Sequence, residues 1–196
     1  MRRMRAVSAS LIKEWCWCRT FAWFVTLGLK EPIPPHAADP EEWSYHEVAE
    51  GLLTYYRLEG VEYNVLVRHK LVSRKLGIYG IADLVLLAED GRDAVVAEVK
   101  TTSPWVSEEH VDLQVTAYAV MAKETFGVRS VRAYAISKAE YREVAWARYI
   151  PRLVEVIRNL KRMLDTEEMP PPNHDGLRCR ACPYRRLCPY SKTSTA

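Results

Sequence analysis

The sequence predicts an α/β fold, with a mixed central sheet flanked by helices and a cysteine-rich cap. Three observations carry this. Between Val61 and Lys100 the apolar pattern changes from helical spacing to short β-type runs, and afterwards it returns to helical spacing. Asp90-Gly91 stands between two such runs, which is a strong hairpin signal. Finally, three of the five cysteines fall in a C-terminal segment with few aliphatic residues, which cannot fold on its own apolar burial.

The elements follow in order. Residues from about Ser10 to Leu29 read as an aromatic-rich helix. The segment Glu31-Pro-Ile-Pro-Pro-His-Ala-Ala-Asp-Pro40 is a loop built of breakers. A second helix is expected from Glu41 to Arg57, with Gly60 ending that stretch. Tyr63–Leu71, Lys75–Leu87 and Ala94–Lys100 are the strands, and Gly77 and Gly80 mark a bend in the middle one. Ser107 is a suitable N-cap for a helix running to Phe126, where Gly127 stops it. A strand at Val131–Ser137 and a shorter one at Tyr141–Trp146 follow. An amphipathic helix then spans Ile150–Leu164 and is ended by Pro170-Pro-Pro172. The expected organisation is an N-terminal helical segment (1–40), a core (41–168) and a cysteine-rich segment (169–196).

With 196 residues, the chain is long enough for one domain with a real core. A net charge of +3 neither requires nor excludes a nucleic-acid partner. The most apolar stretch, Phe21 to Leu29, is too short to span a bilayer. Lys13 and Glu14 interrupt any signal-like continuation of the basic start. A cytoplasmic protein is expected, and in a reducing compartment the cysteines argue for metal binding over disulfides.

The main chemical signal lies in Gly80-Ile-Ala-Asp83 and Ala97-Glu98-Val99-Lys100. If Asp90 and Gly91 form a two-residue turn, Glu89 pairs with Arg92, Leu87 with Ala94 and Asp83 with Glu98. Two carboxylates facing each other across a hairpin repel, and a divalent cation would offset that repulsion. Oxygen donors suit magnesium or manganese. Lys100 shares the face of Glu98, where an ammonium could stabilise charge developing on a phosphate. This is a constellation for metal-assisted phosphodiester hydrolysis. The plain reading is a solvated surface hairpin, but the apolar Val85, Leu86, Leu87, Val95 and Val96 around the pair count against it.

Cys179-Arg-Ala-Cys182 and Cys188 could serve one tetrahedral metal or one cluster. A fourth ligand must come from Cys16 or Cys18 near the other end. Closing a loop of about 160 residues in this way would stabilise the fold by roughly 5 kcal/mol if it acts like a disulfide. Spacing alone leaves zinc, iron–sulfur, free thiols and disulfides open. Tyr184, Arg185 and Arg186 read as a solvated charged tail.

Taken together, these features resemble the RecB-like nucleases, and most closely the CRISPR-associated exonucleases of the Cas-four family. The resemblance covers nearly the whole chain. Its carriers are Cys18 within Trp15-Cys-Trp-Cys-Arg-Thr-Phe21, His46, Gly80-Ile-Ala-Asp83, Glu98-Val-Lys100, Gln114-Val-Thr-Ala-Tyr118 and the C-terminal cysteines. It implies a restriction-endonuclease-like fold and an exonuclease for DNA with single-stranded ends, with endonuclease activity as a further option. The enzyme would act in spacer processing, in reach of the CRISPR adaptation integrase. His46, Asp83, Glu98 and the carbonyl of Val99 would bind Mn2+ or Mg2+. Lys100 would be the catalytic lysine, and Gln114 and Tyr118, one helical turn apart, would position substrate or site. Cys18, Cys179, Cys182 and Cys188 would hold an iron–sulfur cluster, 4Fe-4S ahead of 2Fe-2S. Cys18 departs from the family's usual Cys-Pro-Arg, and Cys16 competes with it. The aromatic-x-aromatic-Cys pattern favours Cys18. The alternative is a DNA-binding module of nuclease fold with structural zinc or a cluster and little catalysis.

Overall fold

The computed structural model describes residues 6–29, 45–55, 61–100, 109–137, 140–174 and 176–191. A two-residue strand β1 (Val7–Ser8) leads into helices α1 (Ala9–Trp17) and α2 (Arg19–Thr26). Helix α3 (Tyr45–Tyr55) precedes strands β2 (Tyr63–Ser73), β3 (Ile78–Ala88) and β4 (Asp93–Lys100). Helix α4 (Glu109–Phe126), strands β5 (Ser130–Ser137) and β6 (Glu140–Glu143) and helix α5 (Trp146–Thr166) follow. A 3-10 turn at Leu177–Ala181 opens the cysteine-rich segment. The expected loop at 31–40, the Ser107 cap and both ends of the second helix lie outside the described residues.

β3 is the organising strand. β2 runs antiparallel along one of its edges. On its other path lie β1, parallel at Ile78 and Tyr79, and β4, antiparallel over Leu84–Leu87. β4 then pairs in parallel with β5, and β5 antiparallel with β6. The sheet is therefore mixed, as expected. One face packs against α1, α4 and α5 through Ile12, Val85, Val96, Leu113, Met121 and Leu160. The other is covered by α3 through Val48, Leu52, Leu84, Leu86 and Ile136. α4 lies so deep that residues from His110 to Ala119 are all buried.

Several expectations are corrected in detail. The N-terminal helix is two helices, because Cys18 is extended (φ −159°, ψ 122°) and both closes α1 and opens α2. No glycine or proline marks that break. Gly77, not Gly80, makes the bend before β3, with φ +66°. Gly80 lies inside the strand for a different reason. A Cβ there would come 2.9 Å from both Ala9 Cβ and Tyr118 Cε1. The last helix starts at Trp146, four residues early, with the indole Nε1 donating to the Val131 carbonyl at 2.9 Å. Tyr184 is not solvated. It is buried against Phe21 and Phe24, with its ring 5.0 Å from that of Phe24, and its hydroxyl donates to the Leu29 carbonyl at 2.8 Å.

Candidate active site and thiol cluster

The Asp-Gly hairpin keeps the expected register with a different turn. Leu87 pairs with Ala94 and Leu84 with Ala97. Gly91 alone takes a left-handed φ of +67° and its N–H donates to the Ala88 carbonyl at 2.8 Å, whereas the two-residue turn expected of Asp-Gly needs both central residues left-handed. Beyond Leu84 the ladder stops. Asp83 falls opposite Glu98 by register, yet its Oδ2 accepts the Val99 N–H at 2.9 Å. A side chain thus replaces the next main-chain bond. Gly80 to Asp83 occupy the fork between the two-residue β1 pairing and the β4 ladder.

Into that fork comes α4. Gly80 has no Cβ because the Tyr118 ring and Ala9 pack on it. Tyr118 is buried, and its hydroxyl is hydrogen-bonded with the Glu98 carboxyl, while Gln114 Nε2 donates to Tyr118 Oη at 3.0 Å. Gln114 Oε1 is buried with no partner among the described residues. Burial, the Glu98 and Asp83 charges and the bond to Glu98 push the Tyr118 hydroxyl well above its ordinary range, so it remains a donor.

Glu98 is only 5% exposed and forms an ion pair with Lys100. Burial, then the Glu98 charge, push Asp83 up to about 7, against the opposing Val99 N–H, Lys100 and Arg68. The pair resists double ionisation without a cation. Hard oxygen donors, largely shielded from water and mutually repelling, fit a divalent ion. Val99, whose N–H anchors Asp83, lies between Glu98 and Lys100. His46 is on an exposed face of α3. Among the described residues, no three His, Cys, Asp or Glu side chains converge as a ligand set, so His46 is not gathered with Asp83 and Glu98.

Two groups unmarked by sequence motifs border the site. Arg68 on β2 is flanked by the pairs Val67–Leu84 and His69–Ala82, which sets it across from Asp83. Counting outward from the Arg74–Gly77 turn would have found it. His110 is buried in the first turn of α4, and burial, then Arg178, Lys13 and Lys100, press its pKa down to about 4.

The thiols form a second centre. Cys18, Cys179, Cys182 and Cys188 line one cavity with Trp17 and Arg178. They surround a common space without closing on a point. Burial pushes Cys182 up to about 11, and Cys18, Cys188 and Cys179 add to the rise. Cys18 is also raised by burial. Four thiols around one space, Cys18 and Cys179 buried and Cys182 and Cys188 half-buried, fit a positively charged centre that would hold them as thiolates. Cys16 faces elsewhere. It packs on the α1–α4–α5 core and is pushed up to about 12 by burial and then Glu109. The clasp around the cavity is side-chain work. Asn173 Nδ2 donates to the Cys16 carbonyl at 3.1 Å, and Asn173 Oδ1 accepts the Arg19 N–H at 3.0 Å. Arg178 donates to the Cys16 and Trp17 carbonyls. The Thr20 hydroxyl donates to the Pro170 carbonyl at 2.8 Å.

The forked sheet with a paired-carboxylate and lysine strand defines a nuclease. Residues 27–189 match the model of the PD-(D/E)XK nuclease superfamily, enzymes that use divalent metal. The chain is similar to the CRISPR-associated exonuclease Cas4 of Aeropyrum pernix, 31% identical with 94% of each chain covered. It is likewise similar to that of Francisella tularensis subsp. novicida, 27% identical with 93% of each covered. A solved protein of Eubacterium rectale, described as a candidate exonuclease, shares the fold at 14% identity and a TM-score of 0.51, with 98% of this chain and 91% of that one covered. The chain belongs to the Cas4 family of PD-(D/E)XK nucleases. No helix among the described residues is long and apolar enough to cross a membrane.

Proposed function

We propose that the chain is a cytoplasmic, metal-dependent DNA exonuclease that trims single-stranded ends during CRISPR adaptation, in contact with the integrase of that process. The observation that carries this reading is the pairing of half-buried Asp83 with buried Glu98 at the mouth of the fork, with Lys100 ion-paired to Glu98. The names of the curated relatives add the exonuclease and CRISPR context.

In this reading Asp83, Glu98 and the Val99 carbonyl hold Mn2+ or Mg2+, and His46, which is not gathered with them here, would have to swing in from α3 to complete the set. A bound divalent cation supplies polarisation of the phosphodiester and a water of lowered pKa. Lys100 presents an ammonium beside Glu98, where it stabilises negative charge on the phosphate. Tyr118 fixes the Glu98 carboxyl by its hydrogen bond, and Gln114 fixes Tyr118. Cys18, Cys179, Cys182 and Cys188 hold an iron–sulfur cluster, 4Fe-4S preferred, whose work is to tie the two ends of the chain.

The test is cleavage of end-labelled single-stranded DNA with manganese, wild type against Glu98→Ala. Wild-type protein that leaves the DNA intact, or an equally active Glu98→Ala variant, overturns the assignment. Anaerobically purified protein should be brown with visible absorbance. Colourless protein with stoichiometric zinc overturns the cluster.

A further inference from the structure

Arg68 adopts a left-handed backbone, φ +49°, in the middle of an eleven-residue strand. For a residue with a Cβ this costs on the order of 1 kcal/mol, and glycine or asparagine would adopt it more cheaply. The strain falls at the register position opposite Asp83, where the pairing of β2 with β3 is interrupted. It also falls where β2 changes stride. Leu66 packs on the α4 side, and so do His69, its ring tilted against Phe126 at 5.5 Å, and Leu71. The parity of inward residues therefore shifts across Arg68, and β3 shifts with it, since Ala82 and Val85 face one core and Leu84 the other.

The side chain that occupies this strained position is exposed. Among the described residues it has no hydrogen bond or ion pair, although its charge reaches the Asp83 carboxyl. Balancing the carboxylate pair does not require it, because Lys100 already pairs directly with Glu98. A backbone kink alone would not require a guanidinium either. An unpaired guanidinium at the rim of a metal-binding carboxylate pair suits a bidentate anion.

Resting on the nuclease reading above, we propose that Arg68 is a phosphate-binding residue, taking a backbone phosphate of the DNA strand laid over the Asp83–Glu98 fork. The left-handed turn lifts the guanidinium out of the strand's stride and presents it beside the carboxylates. Arg68 contributes to substrate binding and register, and Lys100 to the chemistry.

The experiment compares wild type with Arg68→Gly, Arg68→Ala and Arg68→Lys. Binding of a fluorescein-labelled oligothymidylate is followed by anisotropy in calcium across a salt series, and manganese-dependent cleavage is measured in parallel. Arg68→Gly keeps the kink, so its melting temperature should equal or exceed that of wild type. Its affinity should fall about tenfold, as for one lost charge-assisted hydrogen bond. The slope of log affinity against log salt should shrink by about 0.7. Arg68→Lys should recover part of the affinity, and Arg68→Ala should bind as Arg68→Gly does. A Gly variant with wild-type affinity and salt slope overturns the proposal and leaves the nuclease reading intact. Wild type that binds but does not cut overturns the nuclease reading, while a weakened Gly variant still supports the phosphate contact. Wild type that neither binds nor cuts overturns both.

Discussion

Strand β4 is paired to β5 over its whole length and to β3 through Leu84–Leu87, and apolar side chains cover both of its faces. The junction between residues 16–29 and 169–191 has no sheet pairing among the described residues. It is held by Asn173, Arg178, Thr20 and Tyr184 bonding to main-chain groups 150 or more residues away, around the cavity that four thiols line. Main-chain pairing is cooperative and insensitive to the loss of any one side chain. A clasp of single side-chain bonds depends on each partner. The active site is built on the first kind of structure and bordered by the second.

The largest expected effect separates chemistry from stability. Glu98→Ala should lower manganese-dependent cleavage by about a thousandfold while raising or leaving the melting temperature, since it removes one of two repelling carboxyls. A matching loss of stability would show that the pair is structural. Next, Cys18→Ser removes the clasp's one N-terminal thiol. It should cost up to roughly 5 kcal/mol in denaturant unfolding, whereas Cys16→Ser should cost much less. Equal effects would break the contrast drawn between the two thiols.

His110 lies where the two regions meet, feeling Lys100 from one and Arg178 from the other. Its folded pKa of about 4 is below the ordinary 6.5, so the unfolded chain takes up the proton first. Stability is therefore lost as pH falls from about 6.5 toward 4, by roughly 3 kcal/mol at most. In His110→Gln that slope should flatten, which unfolding curves at several pH values would reveal. A smaller effect, about 2 kcal/mol, is expected for Gly80→Ala, whose new methyl meets Ala9 and Tyr118. Activity should fall with it, because Tyr118 is displaced from Glu98. Asn173→Ala should cost only about 1 kcal/mol. Its signature is faster proteolysis of the 169–191 segment with cleavage of DNA unchanged.

The sheet was readable from sequence wherever a local rule fixed a long-range result. Asp90-Gly91 set the turn, and alternation then carried Asp83 opposite Glu98, even though the turn itself has another geometry. The fork was not readable. It depends on β1, two residues long, sharing an edge of β3 with β4, and nothing in Val7–Ser8 announces a strand. The break at Cys18 lies in a run with no glycine or proline to announce it, and it accompanies the packing of Phe21 and Phe24 on Tyr184. Tyr184 looked like part of a charged tail because its burial partners are far away in sequence. Arg68 carried no propensity signal for a left-handed turn, since the cause lies in the face switch of two paired strands.

The bond from the Val99 N–H to Asp83 has a practical consequence for anyone wanting a silent form of the protein. Replacing Asp83 by alanine would strip the charge but also orphan an amide inside the fork, and the strand end could drift. Asparagine offers a neutral oxygen to the same N–H. Asp83→Asn is therefore the better inert stand-in for trapping DNA complexes, because it removes the charge and keeps the scaffold.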